Sequence, residues 1–354
     1  MMTTPAHLDG IGSEMITTPR GSFHLLRAGR ANGVPVIFVH GNVSSSTFWE
    51  ETMLALPDGF AAMAPDLRGY GETERLPVDA TRGLRDFSDD LYSLSQAMGV
   101  QSFHLVGHSM GGAVAMQYAI DHPQQLRSLT LVAPGSPYGF GGTRDIYGTP
   151  TWPDYAGSGG GLVNPEVLTR LAIGDRGEVG NFAPRQLLRL VYVKPPFRSP
   201  REDALVEGMV QTSTAADHYS RDMLPSINWP GIAPGTRGVN NALSPKYCNL
   251  APLATISPKP PILWIRGADD RIVSDNAISD PGTLGAMGAL PGWPGIDTYP
   301  PQPMIGQTRL VLERYKENGG SYEEVVIPDT GHMPYLEAPK AFLNSWLPFL
   351  QQHM

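Results

Sequence analysis

The stretch "VGHSMGGA", residues 106–113, decides the fold. An apolar run, "SFHL" (102–105), stands before it. A run of small and apolar residues, "AVAMQYAIDH" (113–122), follows and ends at Pro123. The first reads as a buried strand and the second as a helix. Ser109 then lies on the turn between them, with Gly107 and Gly111 two residues to either side. A turn this tight strains the serine backbone and lifts its hydroxyl above the sheet, and its neighbours must be small because other backbones pass close by. The helix start at Met110 offers an unpaired N–H and a positive dipole end to a developing oxyanion. The pattern G-x-S-x-G is common by itself. Its alternative meaning is a glycine-rich turn with an incidental serine; the flanking strand, the helix and Gly112 argue against that.

The same strand–helix alternation extends outward. "PVIFVHG" (35–41), residues 60–65, "LRSLTLVAP", "PPILWIRG" (260–267) and "YEEVVIP" read as strands. Helices are expected near 46–56 and 305–317, in "PKAFLNSWLPFLQQ", and where Leu84, Phe87, Leu91, Leu94 and Met98 recur at helical spacing before Gly99. Alternation of this kind predicts an α/β fold with a mostly parallel central β-sheet flanked by helices. "SEMITTP" and "GSFHLLRAG" predict an antiparallel hairpin at the sheet edge. The rhythm breaks over 136–256, where short helical pieces lie among Pro- and Gly-rich loops. We read 1–135 and 257–354 as the core domain, and 136–256 as a helical and irregular cap insertion. A further long loop spans 274–306.

Composition narrows the function classes. The chain has 354 residues and a formal net charge of −8, with no basic block. That argues against nucleic acid and anionic membrane surfaces as partners. Gly (40) and Pro (34) make up about a fifth of the chain, well above the usual ~12%, so much of its length lies in turns. One cysteine, Cys248, forms no internal disulfide and fits a reducing, cytoplasmic setting. The start, "MMTTPAHLDGIGSEM", has no basic or apolar leader character, and no apolar run reaches the ~20 residues of a membrane span.

A serine nucleophile needs a base, and the base an orienting carboxylate. Of the nine histidines, His332 in "PDTGHMPYLEAP" follows the last strand, at the edge where sites assemble on parallel sheets. His104 falls within a strand and His122 at a helix end. His7 and His353 lie near the termini. His108 would point away from the serine, and His218, in the insertion, is placed to face the pocket. "WIRGADDRIV" offers two carboxylates after a strand, Asp269 and Asp270.

The order strand-Ser, strand-Asp, loop-His resembles the α/β-hydrolase fold superfamily, and more narrowly its serine carboxylesterase-like members with an inserted cap. The resemblance covers nearly the whole chain apart from the insertion. Its G-x-x-D-x-x-V pattern falls on Gly267, Asp270 and Val273, which implies Asp270 as the triad acid; a one-residue shift of the turn would make it Asp269. "DLRGYGET" (66–73) matches a family loop, with Glu72 and Thr73 where a small polar residue and Ser are usual. We expect Arg68 to tie that loop to the carboxyl edge of the sheet and Glu72 to have no catalytic part. The family's His-Gly loop falls on "HGNVSSSTFW" (40–49) and implies the Asn42 amide as the second oxyanion donor beside Met110. The same loop also resembles that of haloalkane dehalogenases. Those need an aspartate nucleophile, and position 109 is Ser. Trp49 reads as a packing residue.

The resemblance implies hydrolysis of a carboxylic ester or lactone of a small, mostly apolar substrate through an acyl-enzyme on Ser109, with no metal or organic cofactor. It implies a small-molecule acyl partner only, in a monomer or homodimer. Alternatives are a carbon–carbon hydrolase or amidase with the same triad, a cofactor-free perhydrolase, or, from another class, a small-molecule receptor on this fold. The insertion's aromatic and apolar residues (Tyr138, Phe140, Tyr147, Trp152, Tyr155, Phe182, Tyr192, Phe197, Met209, Tyr219, Met223, Trp229) suggest an apolar pocket, although most are needed for the insertion's own core. The 274–306 loop is expected to rim the site or a subunit contact; surface decoration or a cover for a sheet edge are the alternatives.

Overall fold

Strands buried on both faces need helices on both sides, and the chain supplies them. The structure, a computed structural model, describes residues 7–354, so the first part of the leader reading lies outside the described residues. Among the described residues there are ten strands: β1 (Gly12–Thr18), β2 (Gly21–Gly29), β3 (Val34–Val39), β4 (Phe60–Pro65), β5 (Phe103–His108), β6 (Leu126–Val132), β7 (Met223–Pro225), β8 (Ile232–Pro234), β9 (Ile262–Gly267) and β10 (Tyr322–Ile327). Eight form one sheet in the order β1-β2-β4-β3-β5-β6-β9-β10. From β4 to β10 every pairing is parallel, while β1–β2 and β2–β4 are antiparallel. The predicted hairpin therefore forms one edge of a mostly parallel sheet.

Strand order places the chemistry. β5 lies between β3 and β6, and Val39 of β3 pairs with Gly107 of β5. The loop from His40 and the turn at Ser109 consequently leave the sheet side by side. β9 and β10 are also neighbours, with Ile327 opposite Gly267, so the loops carrying Asp270 and His332 leave together. All four rise from carboxyl ends of parallel strands, where open α/β sheets assemble their sites. Helix Met110–Asp121 is buried from Met110 to Ala119, and its small residues let it sit against the sheet centre.

Two expectations need correcting. The predicted 46–56 helix is a 3-10 turn, Ser46–Trp49, followed by a short helix, Glu50–Leu54. The Ser46 N–H goes to the Asp66 carboxylate at 2.7 Å, which draws this turn toward the neighbouring loop. Arg68 does not reach the sheet edge. It makes a two-pronged bond to Asp90 of helix Arg85–Ala97, both arms at 2.6 Å, and a third bond to the Pro77 carbonyl. Geometry of this kind suits the planar guanidinium.

The segment between β6 and β9 contains helices Pro165–Ala172 and Glu202–Val210, and helix Pro184–Leu187 running into a π-helical turn, Leu188–Tyr192. It also holds the antiparallel pair β7–β8, which the sequence reading did not anticipate because three-residue strands carry no usable period. Main-chain bonds stitch it to the loop after β4: Ser213 N–H to Gly69 at 2.8 Å, Val78 N–H to Asp217 at 2.9 Å and Ala80 N–H to Thr236 at 3.0 Å.

Candidate active site

Ser109 has φ 55° and ψ −121° and caps helix Met110–Asp121. A non-glycine residue at positive φ costs on the order of 1–3 kcal/mol and persists only where its surroundings impose it. Here the impositions are visible. The Ser109 N–H bonds to Val132 of β6 at 3.0 Å, and its carbonyl accepts from Gly112 at 2.9 Å and Gly135 at 2.8 Å. A Cβ on Gly107 would collide with the Gly111 carbonyl, and one on Gly111 with the carbonyls of Val39 and His40. The turn can be this tight only with glycine at both positions.

His332 stands opposite. Its Nδ1 meets Asp270 Oδ2 at 2.7 Å, with both groups buried. Asp270 Oδ1 accepts the N–H groups of Ile272 at 2.8 Å and Val273 at 3.0 Å. The carboxylate is thus fixed by its own loop and can only accept, so it holds His332 as the Nδ1–H tautomer and leaves Nε2 as a base. Asp269 is half exposed and pairs with Lys194 Nζ at 2.8 Å. Of the two adjacent carboxylates, Asp270 alone touches the imidazole. Gly267 keeps the two loops close, because a Cβ there would overlap the carbonyls of Thr330 and Gly331.

Ser109, His332, Asn42 and Met110 line one cavity of about 510 Å³, and Asp270 lies behind His332. The amide N–H groups of Asn42 and Met110 have no acceptor among the described residues. Next to Asn42, Val43 has φ 48°, a true outlier for a β-branched residue. The walls are mainly apolar, with Leu162, Val167, Leu187, Ile272, Leu284 and Met304 among them. Of the insertion's twelve aromatic and apolar residues named above, most of which were expected in its own core, Phe140, Phe182, Tyr192 and Tyr219 line the cavity. Ile278, Ser279, Leu284 and Met304 bring the 274–306 loop into the cavity wall.

The other histidines have structural partners. His108 Nε2 donates to the His332 carbonyl at 2.9 Å, and burial pushes its pKa well down, so it props the base loop as a neutral ring. His104 meets Ser128 at 2.7 Å, and burial holds it at about 4. His218 does not line the cavity: its two ring nitrogens lie 3.0 Å from the Ser213 carbonyl and 2.8 Å from that of Arg68. The Glu72 side chain is also outside the cavity. Trp49 is fully buried and stacks on Tyr335 at 4.2 Å, as a packing residue should.

Sequence reading missed the supports. Gln302, in the long loop, and Gln307, on the helix Met304–Glu317, are buried and bond Gly139, Gly141, Ser136 and Thr143 at 2.6–3.1 Å. Asp280 caps helix Pro281–Ala286, accepting from Thr283 N–H at 3.1 Å, while its Oδ1 has no partner among the described residues. Burial pushes this carboxyl up to about 6. Its folded pKa lies above the unfolded one, so between the two the unfolded chain holds fewer protons and stability falls as pH rises. The loss is on the order of 2–3 kcal/mol. Asp280→Asn keeps a capping acceptor, and is expected to stabilise the protein at pH 7 and to do little at pH 4. Urea unfolding at both pH values checks this; equal effects at the two would contradict it.

Comparisons with known proteins agree with this architecture. The family model described as alpha/beta hydrolase fold matches residues 34–339. "Probable lysophospholipase BODYGUARD 1" of Arabidopsis thaliana is 36% identical over 120 residues, which is 31% of this chain and 25% of that protein. 2-Hydroxymuconate semialdehyde hydrolase of Pseudomonas sp. (strain CF600) is 32% identical over 135 residues, 37% of this chain and 46% of that one. The chain therefore spans between a quarter and a half of the length of these two curated relatives. Among solved structures, the enol-lactonase from Burkholderia xenovorans LB400 superposes with a TM-score of 0.61 at 17% identity, covering 96% of this chain and 100% of that one. Naproxen esterase (carboxylesterase NP) from Bacillus subtilis gives 0.59 at 18%, covering 96% and 91%. At such identities the structural likeness speaks for the fold. With the family model matching most of its length, the chain belongs to the alpha/beta hydrolase fold family.

Proposed function

We propose that the protein is a serine hydrolase that cleaves a carboxylic ester or lactone of a small, mostly apolar substrate. One observation carries the reading: Ser109 and an Asp270-backed His332 share a cavity with two unpartnered amides, those of Asn42 and Met110. Ser109 Oγ attacks the carbonyl carbon while His332 Nε2 takes its proton. Asp270 stabilises the imidazolium. The two amides hold the tetrahedral oxyanion, and a donor of this kind is worth about 3 kcal/mol. His332 then protonates the leaving oxygen, leaving an acyl-enzyme, and water attacks by the same steps. The β6–β9 segment acts as the cap, since Leu162, Val167, Phe182 and Leu187 come from it and form cavity wall.

The similarity to 2-hydroxymuconate semialdehyde hydrolase favours a second reading, carbon–carbon hydrolysis with the same residues. A panel of acyl esters, lactones, amides and a vinylogous diketone separates the two. Fastest turnover is expected on short-chain esters or lactones. Turnover confined to the diketone would replace the ester reading with the carbon–carbon one.

A further inference from the structure

Asn42 is held at four points. Its carbonyl accepts from the Tyr192 hydroxyl at 3.1 Å. Its side-chain oxygen accepts from the Tyr70 hydroxyl at 2.6 Å and from the Val43 N–H at 3.0 Å. Its side-chain nitrogen donates to Asn240 at 3.2 Å. The Val43 bond fixes which way the amide lies, because a backbone N–H can only donate. The backbone N–H of Asn42 alone has no partner among the described residues. Two of the four ties, Tyr192 and Asn240, come from the β6–β9 segment.

Tyr192 also holds the base. Its carbonyl accepts the His332 N–H at 3.1 Å. Two residues on, the Lys194 N–H donates to Glu337 at 2.7 Å, and the same carboxylate accepts from Gly331 at 2.9 Å and Met333 at 3.0 Å. The main chain at and on both sides of His332 is therefore tied to residues 192–194. Tyr192 ends the π-helical turn Leu188–Tyr192, and such wide turns recur at functional sites because they redirect a side chain.

We propose that Tyr192 is a positioning residue that sets the Asn42 amide through its hydroxyl and His332 through its carbonyl. The β6–β9 segment then builds part of the reactive geometry as well as covering it. This inference rests on the serine-hydrolase reading and adds a residue to it. An oxyanion donor works only when aimed at the place where charge develops, and a small misalignment is felt mainly in the transition state. The loss should accordingly fall in kcat and leave KM nearly unchanged.

Tyr192→Phe removes the hydroxyl and keeps the ring in the cavity wall. On p-nitrophenyl acetate, butyrate and hexanoate, kcat is expected to fall about tenfold, by the same factor for each, with KM changed less than about twofold. Asn240→Leu should lower kcat similarly, and the double variant should lose less than the product, because both ties act on Asn42. An unchanged kcat in Tyr192→Phe would overturn the inference. So would a loss that grows with acyl length and sits in KM, which would mark the ring as wall only. Should Tyr192→Phe not fold, Asn240→Leu carries the same test. Fluorophosphonate labelling of the wild type runs alongside. Failure to label Ser109 overturns the serine mechanism and this inference with it, whereas normal labelling with unchanged variant kcat overturns this inference alone.

Discussion

Ser109→Ala is expected to lower kcat on a p-nitrophenyl acyl ester by at least about 10⁴-fold and to abolish fluorophosphonate labelling of the protein. The variant removes one oxygen from a residue whose backbone is set by other groups. The bonds from Ser109 N–H to Val132, and from Gly112 and Gly135 to the Ser109 carbonyl, do not involve the hydroxyl. Gly107 and Gly111 leave room for the turn whichever side chain stands at 109. The fold and the two unpartnered amides should therefore survive, and the residual rate would measure the oxyanion site without its nucleophile. Mass mapping of the labelled wild type should find the adduct on Ser109. Labelling elsewhere, or turnover retained in a pure Ser109→Ala sample, would sink the mechanism.

Asp270→Asn should cost about 10⁴-fold in kcat with a modest change in KM, and Asp269→Asn less than about threefold. The contrast follows from their contacts. Asp270 Oδ1 is committed to the N–H groups of Ile272 and Val273, so an asparagine there would keep its oxygen on those amides. Its NH₂ would then face His332 Nδ1 and drive the ring to the Nε2–H tautomer, which cannot accept the serine proton. Asp269 loses only a surface ion pair with Lys194, the kind worth about 0–1 kcal/mol. Kinetics of both variants on one ester decide the matter. A large loss in Asp269→Asn with a small one in Asp270→Asn would mean that the acid turn is shifted by one residue.

The order of elements was legible because strands buried on both faces leave continuous apolar runs, as in "PVIFVHG", and amphipathic helices leave a period of 3.6, as in Leu84 to Met98. The turn at Ser109 was legible because only glycine fits at 107 and 111. Arg68 was misplaced because its partner, Asp90, is 22 residues away, and nothing local marks the pair. The same holds for His218, which bonds Arg68 from 150 residues away. Hydrogen-bond partners of long polar side chains are chosen by packing, and packing leaves no period.

Sequence by itself determined the parallel sheet, the strained serine turn and the residue types of the candidate triad, since each rests on local sterics or on element order. Tertiary structure alone decided three things. It set Asp270 and not Asp269 against His332, through two amides of the acid loop. It brought the 274–306 loop into the cavity wall. It placed Tyr192 and Asn240 on Asn42, 150 and 198 residues away in the chain. The physical reason is common to all three: hydrogen bonds and van der Waals contacts act over a few ångströms of space, and only the folded chain says which distant residues share it.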